Sequence, residues 1–167
     1  LFWWGKFRRH KAAVKLHTML DVKTNIPTVV FITSGAVHEV NLLDHFPIEE
    51  GSYYLLDKGY IEFEKLYKIH KSSAYFVMPA KDNFAFNRVA SNKVDKETGV
   101  ICDQTVRLKN QLVSLKYPHE LRRIKFYDAE TNNTLVFLTN NFELTSVEVA
   151  GLYKYRWKIE LFFKWIK

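Results

Sequence analysis

Apolar and polar positions fall into short blocks along the first half of the chain, and the blocks predict an alternation of strands and helices. Ala12 to Val22 and Thr28 to Thr33 carry strand-like patterns, with Asn25-Ile26-Pro27 as the turn between them. After Gly35, the stretch Glu39 to Asp44 suits a short helix. Ser52-Tyr53-Tyr54-Leu55-Leu56 is a continuous apolar strand that ends in Asp57-Lys58-Gly59-Tyr60. From Tyr60 to Lys71 the apolar residues Phe63, Leu66, Tyr67 and Ile69 recur at helical spacing with charges between them. Ala74 to Met78 is a second buried strand, closed by Pro79. Strand, helix and strand in that order predict a parallel pair with a crossover, and so an α/β sheet.

Between about Lys81 and Val147 the texture changes. Phe84-Ala85-Phe86, Gln104 to Leu108, Leu121 to Tyr127 and Thr134 to Thr139 look like strands, joined by polar turns such as Asp128 to Asn133. The segment is too long for a plain loop and reads as a β-rich insertion. Thr145 with Glu148 three residues later fits a capping box, and helical periodicity then runs to Lys167. The organisation expected is a core over 1–80, a β-strand insertion over 81–147, and a closing core helix over 148–167. A chain that starts at Leu1 and stops inside a helical pattern reads as excised from something longer, incomplete at both ends.

Composition narrows the class. Of 167 residues, 47% are hydrophobic and 26% charged, which is the balance of a folded domain rather than a disordered one. The single cysteine, Cys102, excludes an internal disulfide framework and fits a reducing compartment. Scattered histidines show no zinc-ligand spacing, and no apolar run approaches a membrane span, which requires about 18 residues. The formal charge of +7 favours a polyanionic partner, because each cation near a phosphate releases a counterion.

Two features carry candidate chemistry. On a continuous helix, Tyr153, Arg156, Glu160 and Lys167 would fall within an arc of about 60°, with Lys164 on the same edge. Leu152, Ile159, Phe162, Phe163 and Ile166 would face the core. One stripe then holds a carboxylate among cations and a phenol. An exposed helix laced by Arg156–Glu160 and Glu160–Lys164 pairs has the same pattern. Asp57 follows a buried strand and precedes a glycine and a helix, at the strand end where open α/β sheets place their sites; a turn or capping aspartate has that setting too. Near the N-terminus, Lys6, Arg8, Arg9 and Lys11 beside Trp3 and Trp4 suit a phosphate backbone or a strand edge guarded by charge. His38-Glu39 either props a site or opens a helix with an acid near its positive end.

Taken together, the two features carry a family resemblance. Tyr153-Lys-Tyr-Arg156-Trp-Lys-Ile-Glu160-Leu-Phe-Phe-Lys-Trp-Ile-Lys167 resembles at every position the Y-x2-R-x3-E-x6-K signature of the insertion-sequence-four family of DDE transposases. Asp57-Lys58-Gly59-Tyr60 resembles the same family's second-aspartate motif, D-[RK]-G-Y, and its distance from Glu160 suits members with a β-strand insertion before the glutamate. Phe7-Arg8-Arg9-His10-Lys11 and Leu138-Thr139-Asn140-Asn141-Phe142 extend the likeness over the whole chain.

The resemblance implies a ribonuclease-H-like mixed sheet in which Asp57 and Glu160 serve as second and third metal-holding acids for a pair of Mg²⁺ or Mn²⁺ ions. Tyr153, Arg156 and Lys167 would contact transposon-end phosphates, with Lys164 added from helix geometry. DNA ends and target DNA are the implied partners, with no membrane, a homodimer in the full-length protein, and a bacterial-type cytoplasmic, nucleoid-associated setting. The family's first aspartate has no counterpart before Trp3; Asp21, beside the Asn25-Ile26-Pro27 turn, is the sole early substitute. With two acids of three, the chain is expected to show little strand cleavage or strand transfer alone. The competing reading is a non-catalytic, basic DNA-binding remnant of a decayed transposase gene.

Overall fold

The computed structural model describes the backbone of residues 6–8, 11–12, 14–36, 39–81 and 84–166, and the side chains of 15–36, 41–81 and 84–166. The chain divides into two compact units, one formed by Ile48–Arg156 and the other by Leu1–Pro47 with Trp157–Lys167.

The larger unit is built on six strands: β5 (Tyr53–Leu55), β6 (Tyr75–Pro79), β7 (Phe86–Asn92), β8 (Val100–Leu108), β9 (Leu121–Asp128) and β10 (Asn133–Thr139). Their order across the sheet is β5-β6-β10-β9-β8-β7. β5 and β6 pair in parallel, as the strand–helix–strand reading requires, and every other pairing in this sheet is antiparallel. The strands between 86 and 139 therefore continue the same sheet as β5 and β6, with β10 hydrogen-bonded directly to β6. The strand expected at Phe84–Phe86 is corrected, since β7 only begins at Phe86, and β8 runs longer than its apolar block; bulges between Arg88 and Ala90 and between Val100 and Cys102 interrupt the alternation that the pattern relies on.

Each face of the sheet has its own cover. Val77, Val100, Ile124 and Phe137 point to one side and pack with Val149 and Ala150 of α3 (Ser146–Lys154). Phe76, Met78, Val106, Leu121 and Leu138 point to the other, where α1 (Phe63–Lys71) buries Leu66 and Ile69 and α2 (Gln111–Lys116) leads into the buried Tyr117. Burial of this many large apolar side chains, each worth about 1.5–3 kcal/mol, dominates the unit's stability. α2 escaped the periodicity reading because it is under two turns long; its signal is Asn110, whose side chain accepts from Leu112 N and Val113 N. His70 on α1 lies 2.6 Å from the Tyr117 hydroxyl, and burial, then the neighbouring His119, lowers its pKa. At Gly99 a φ of 87° and the approach of the Tyr127 carbonyl, 2.7 Å from where a Cβ would stand, both demand glycine.

In the smaller unit, β1 (Lys6–Arg8) pairs with β2 (Lys11–Ala12), and β3 (Val14–Asp21) forms an antiparallel pair with β4 (Ile26–Ser34). A 3₁₀ helix covers Glu39–His45, where the short helix is expected, and α4 spans Trp157–Trp165. The side chain of His17 is buried against Thr33, 2.8 Å away. The expectation of one helix running from Thr145 to the end is corrected. The helix stops at Lys154, Tyr155 N–H and Arg156 N–H bond three residues back to Leu152 and Tyr153, and α4 restarts at Trp157. Tightening to i−3 bonds is a common way for a helix to end. A 100° count from Tyr153 assumes one unbroken helix and does not carry across that joint.

Candidate active site and its supports

Asp57 stands two residues beyond β5, at the carboxyl end of a parallel strand. The ladder continues past the strand through Leu56 N–H, which donates to Val77 O at 3.0 Å. Asp57 caps the 3₁₀ turn Lys58–Tyr60, and Lys58 N–H donates to its Oδ1 at 2.6 Å. The capping role weighed in the sequence is therefore real, but it employs one oxygen. The other, Oδ2, faces the Arg156 guanidinium at 3.7 Å, and the carboxylate stays 61% exposed.

Tyr153 and Arg156 meet at the same place. Tyr153, in the last turn of α3, lays its ring against Phe137 with centroids 5.0 Å apart. The Arg156 guanidinium sits over that ring at 5.6 Å. Tyr153 thus anchors in the core, and Arg156 spans from its ring to Asp57. Glu160 and Lys164 are exposed on α4, in the smaller unit. Lys167, Trp3, Trp4, Arg9 and His38 lie outside the described residues, as do the side chains of Lys6, Arg8, Lys11 and Glu39. Asp21 is occupied locally: Lys23 N–H donates to Oδ1 (2.8 Å) and the Thr24 hydroxyl to Oδ2 (2.9 Å). These two bonds hold its pKa below the usual value and close the β3–β4 turn.

What fixes the site lies behind it, in residues the sequence reading did not single out. Asp103 on β8 and Arg122 on β9 form a buried pair in which Arg122 Nε and Nη2 both donate to the carboxylate. The Ser146 hydroxyl donates to Asp103 at 2.6 Å and Asn92 Nδ2 donates at 3.1 Å. Arg122 Nη1 donates to the Leu144 carbonyl. Burial works to raise the Asp103 pKa; the bonds from Arg122 and Ser146, with the Arg122 charge and Asn92, outweigh it and leave the carboxyl below its ordinary value. Ser146 is the first residue of α3, so this network sets where the helix carrying Tyr153 begins. Thr145 and Glu148 complete the expected capping box: Thr145 N–H donates to Glu148 (2.7 Å), and Glu148 N–H donates to Thr145 Oγ1 (3.2 Å).

The Asn140-Asn141 pair does related work. Asn140 Nδ2 donates to Ala74 O and its Oδ1 accepts from Phe76 N–H, each at 2.9 Å, so a side chain continues the β10–β6 ladder where the backbone turns away. Asn141 Oδ1 accepts from Glu143 N–H and Leu144 N–H and shapes the approach to α3.

A hard, exposed carboxylate oxygen at a strand's carboxyl end is suitable chemistry for Mg²⁺ or Mn²⁺. Among the described residues, no group of three or more His, Cys, Asp or Glu side chains is placed to hold a metal ion. Asp57 thus fits as one ligand and requires others to complete the set. No helix among the described residues is long and apolar enough to cross a membrane.

Comparison with known proteins gives these features a context. Residues 3–167 match the family model described as the transposase DDE domain. The chain is 34% identical to a putative transposase, y4zB, of Sinorhizobium fredii, over 98% of this chain and 47% of that protein. It is 26% identical to a probable transposase for insertion sequence element IS5377 of Geobacillus stearothermophilus, over 98% of this chain and 43% of that one. A putative transposase for insertion sequence element IS4SA of Synechocystis is 25% identical over 92% of this chain and 43% of its own length. The chain spans less than half the length of these relatives, and no solved structure matches it. A mixed α/β sheet is what a ribonuclease-H-like DDE domain requires, and the insertion-sequence-four reading is consistent with these relatives. With nearly every residue inside the matched model, the chain belongs to the transposase DDE domain family.

Proposed function

We propose that this chain is the catalytic-domain portion of a DNA transposase, serving metal-dependent strand cleavage and strand transfer on transposon and target DNA. Asp57 and Glu160 are the carboxylates we assign to the divalent ions, Mg²⁺ or Mn²⁺, and Tyr153, Arg156, Lys164 and Lys167 are assigned to DNA. We keep 81–147 as an insertion that widens the sheet begun by β5 and β6. When bound, paired ions of this kind activate a water or 3′-hydroxyl and stabilise the leaving oxygen of an in-line displacement.

The observation that carries the reading is the meeting of Tyr153 and Arg156, two members of the helix signature, with Asp57 at the carboxyl end of β5. An arginine held there offers a fork of donors to a phosphate oxygen beside the acid, and the core-anchored Tyr153 ring limits how far it can wander. The exposed Oδ2 of Asp57 keeps an acceptor for a cation, while the Lys58 N–H orients the carboxylate. Family membership supports DNA as the partner. Homodimer formation and a nucleoid-associated setting are part of the same proposal for the full-length protein.

Calorimetry of Mn²⁺ binding to this chain tests the assignment. Binding that drops at least tenfold on Asp57→Asn and on Glu160→Gln supports it. Binding indifferent to both substitutions overturns the assignment and leaves a basic protein that holds DNA without metal.

A further inference from the structure

Strand side chains alternate between faces, and the register of the larger sheet sorts its charges unevenly. The two acids within β7–β10 are Asp103 and Asp128. Asp103 pairs with Ile124 and Asn92, and Asp128 lies an even number of positions from Ile124, so both belong to the face covered by α3. Arg88 pairs with Val106, Arg123 with Gln104 and Leu138, and Lys125 with Cys102 and Val136, which places all three cations on the opposite face. There α1 and α2 cover one part, over Phe76, Val106 and Leu121. The remainder presents Arg88, Ser91, Gln104, Arg123, Lys125, Tyr127 and Thr134, none of them fully buried and no carboxylate among them.

This surface has a fixed relation to Asp57. Leu55 pairs with Val77, and through Thr139 that row continues to Arg122 and Thr105. Two residues further along, Asp57 is level with the row Pro79, Phe137, Ile124 and Asp103. Arg123 and Lys125 flank Ile124 in that row, three strands from β5, or about 14 Å at roughly 4.8 Å per strand. A row of rings leads to Arg123. Phe63, at the start of α1, stacks on Phe84 (6.2 Å), Phe84 stacks on Phe86 (5.5 Å), and the Arg123 guanidinium lies over Phe86 at 5.0 Å. Gln104 Oε1 accepts from Arg123 Nη1 at 3.0 Å. The ring faces are engaged with one another, so the row serves to hold a cation in place rather than to stack nucleobases.

We infer that the open part of this sheet face, with Arg88, Arg123 and Lys125, is a second docking surface for the sugar–phosphate backbone of duplex DNA, separate from the cations of the helix signature. The occupant follows from charge complementarity: three cations on a sheet face with no acid among its described strand residues, Arg123 and Lys125 beside the row level with Asp57 and Arg88 further from it, opposite Val106. That distance runs along the plane of the sheet; Asp57 shares the parity of Leu55 and Ile124, on the α3 face, so a duplex that contacts both passes around the strand ends. The inference rests on the transposase reading for its ligand and assigns the second grip to residues the signature does not contain.

Fluorescence anisotropy of a labelled duplex of about 30 base pairs, titrated with the 167-residue chain at several NaCl concentrations, reads the contacts directly. Each lost phosphate contact lowers the log–log salt slope by about 0.9. Arg88→Gln/Lys125→Gln is expected to reduce the slope by roughly 1.8 and weaken binding several-fold at low salt. Arg123→Gln should act in the same direction, with circular dichroism confirming that each variant is folded. Lys71→Gln, at the far end of α1, removes a charge away from this face and serves as the reference. The inference is overturned if the double variant changes the slope no more than Lys71→Gln does. In that event a slope still lowered by Arg156→Gln leaves the transposase reading standing, whereas a wild-type chain with no salt-dependent duplex binding sinks both.

Discussion

Asp57, just past a strand of the larger unit's sheet, and Asp103, within it, are both paired with an arginine, and they are used in opposite ways. Asp103 is 3% exposed and receives bonds from Arg122, Ser146 and Asn92. Asp57 receives one backbone bond and a guanidinium at 3.7 Å, and is otherwise turned to solvent. A buried charge is tolerated when its oxygens are satisfied, and a satisfied carboxylate has nothing left for a ligand. The lesson is that a pair made to hold two strands and a helix start is saturated, while a pair made to receive something is left incomplete.

The sharpest way to break the comparison is to strip Asp103 of its partner. Arg122→Met leaves a carboxylate in the interior without its guanidinium and is expected to cost about 3–5 kcal/mol of unfolding free energy, read from urea titration. Asp103→Leu/Arg122→Met together should recover much of that loss, because an apolar pair of similar volume avoids desolvating either charge. A single variant as stable as the wild type would mean that Asp103 is no more structural than Asp57.

Acid gives a smaller, graded version of the same test. The folded pKa of Asp103 lies below the unfolded one, so its contribution is complete above the ordinary carboxylate pKa near 3.8 and disappears as pH falls through the depressed folded value. The thermal midpoint should therefore fall more steeply below pH 4 in the wild type than in the apolar double variant. Parallel curves for the two proteins would remove Asp103 from the acid response.

The smallest effect belongs to Asp57. Asp57→Asn should leave stability within about 0.5 kcal/mol, the usual range for an exposed position, with the urea midpoint unmoved. A large loss of stability would make this residue a structural cap first and would weaken the metal assignment.

The strands β3 to β6 and helix α1 were legible in the sequence because each follows a simple alternation or helical repeat. The bulges in β7 and β8 hid their full lengths, and the joint at Tyr155–Arg156 was invisible because Leu152, Ile159, Phe162 and Phe163 keep helical spacing across it. Asp57, Tyr153 and Arg156 were legible as chemistry, through the family signature. The Asp103–Arg122 pair was not, because pattern reading sends charged strand residues outward, and only the pairing register brings these two face to face inside. Asn140 and Asn141 were legible only as part of a likeness; the bonds that explain them reach back more than sixty residues, to Ala74, Phe76 and Tyr53.

Asn140 also bears on how this sheet tolerates variation. A side-chain amide acts there as a substitute peptide group, giving one hydrogen and taking one. Aspartate accepts but cannot give, leucine does neither, and glutamine sets its amide a methylene too far out. In a saturation library screened for folded protein, that site should admit almost a single letter, while its exposed neighbour Phe142 accepts many.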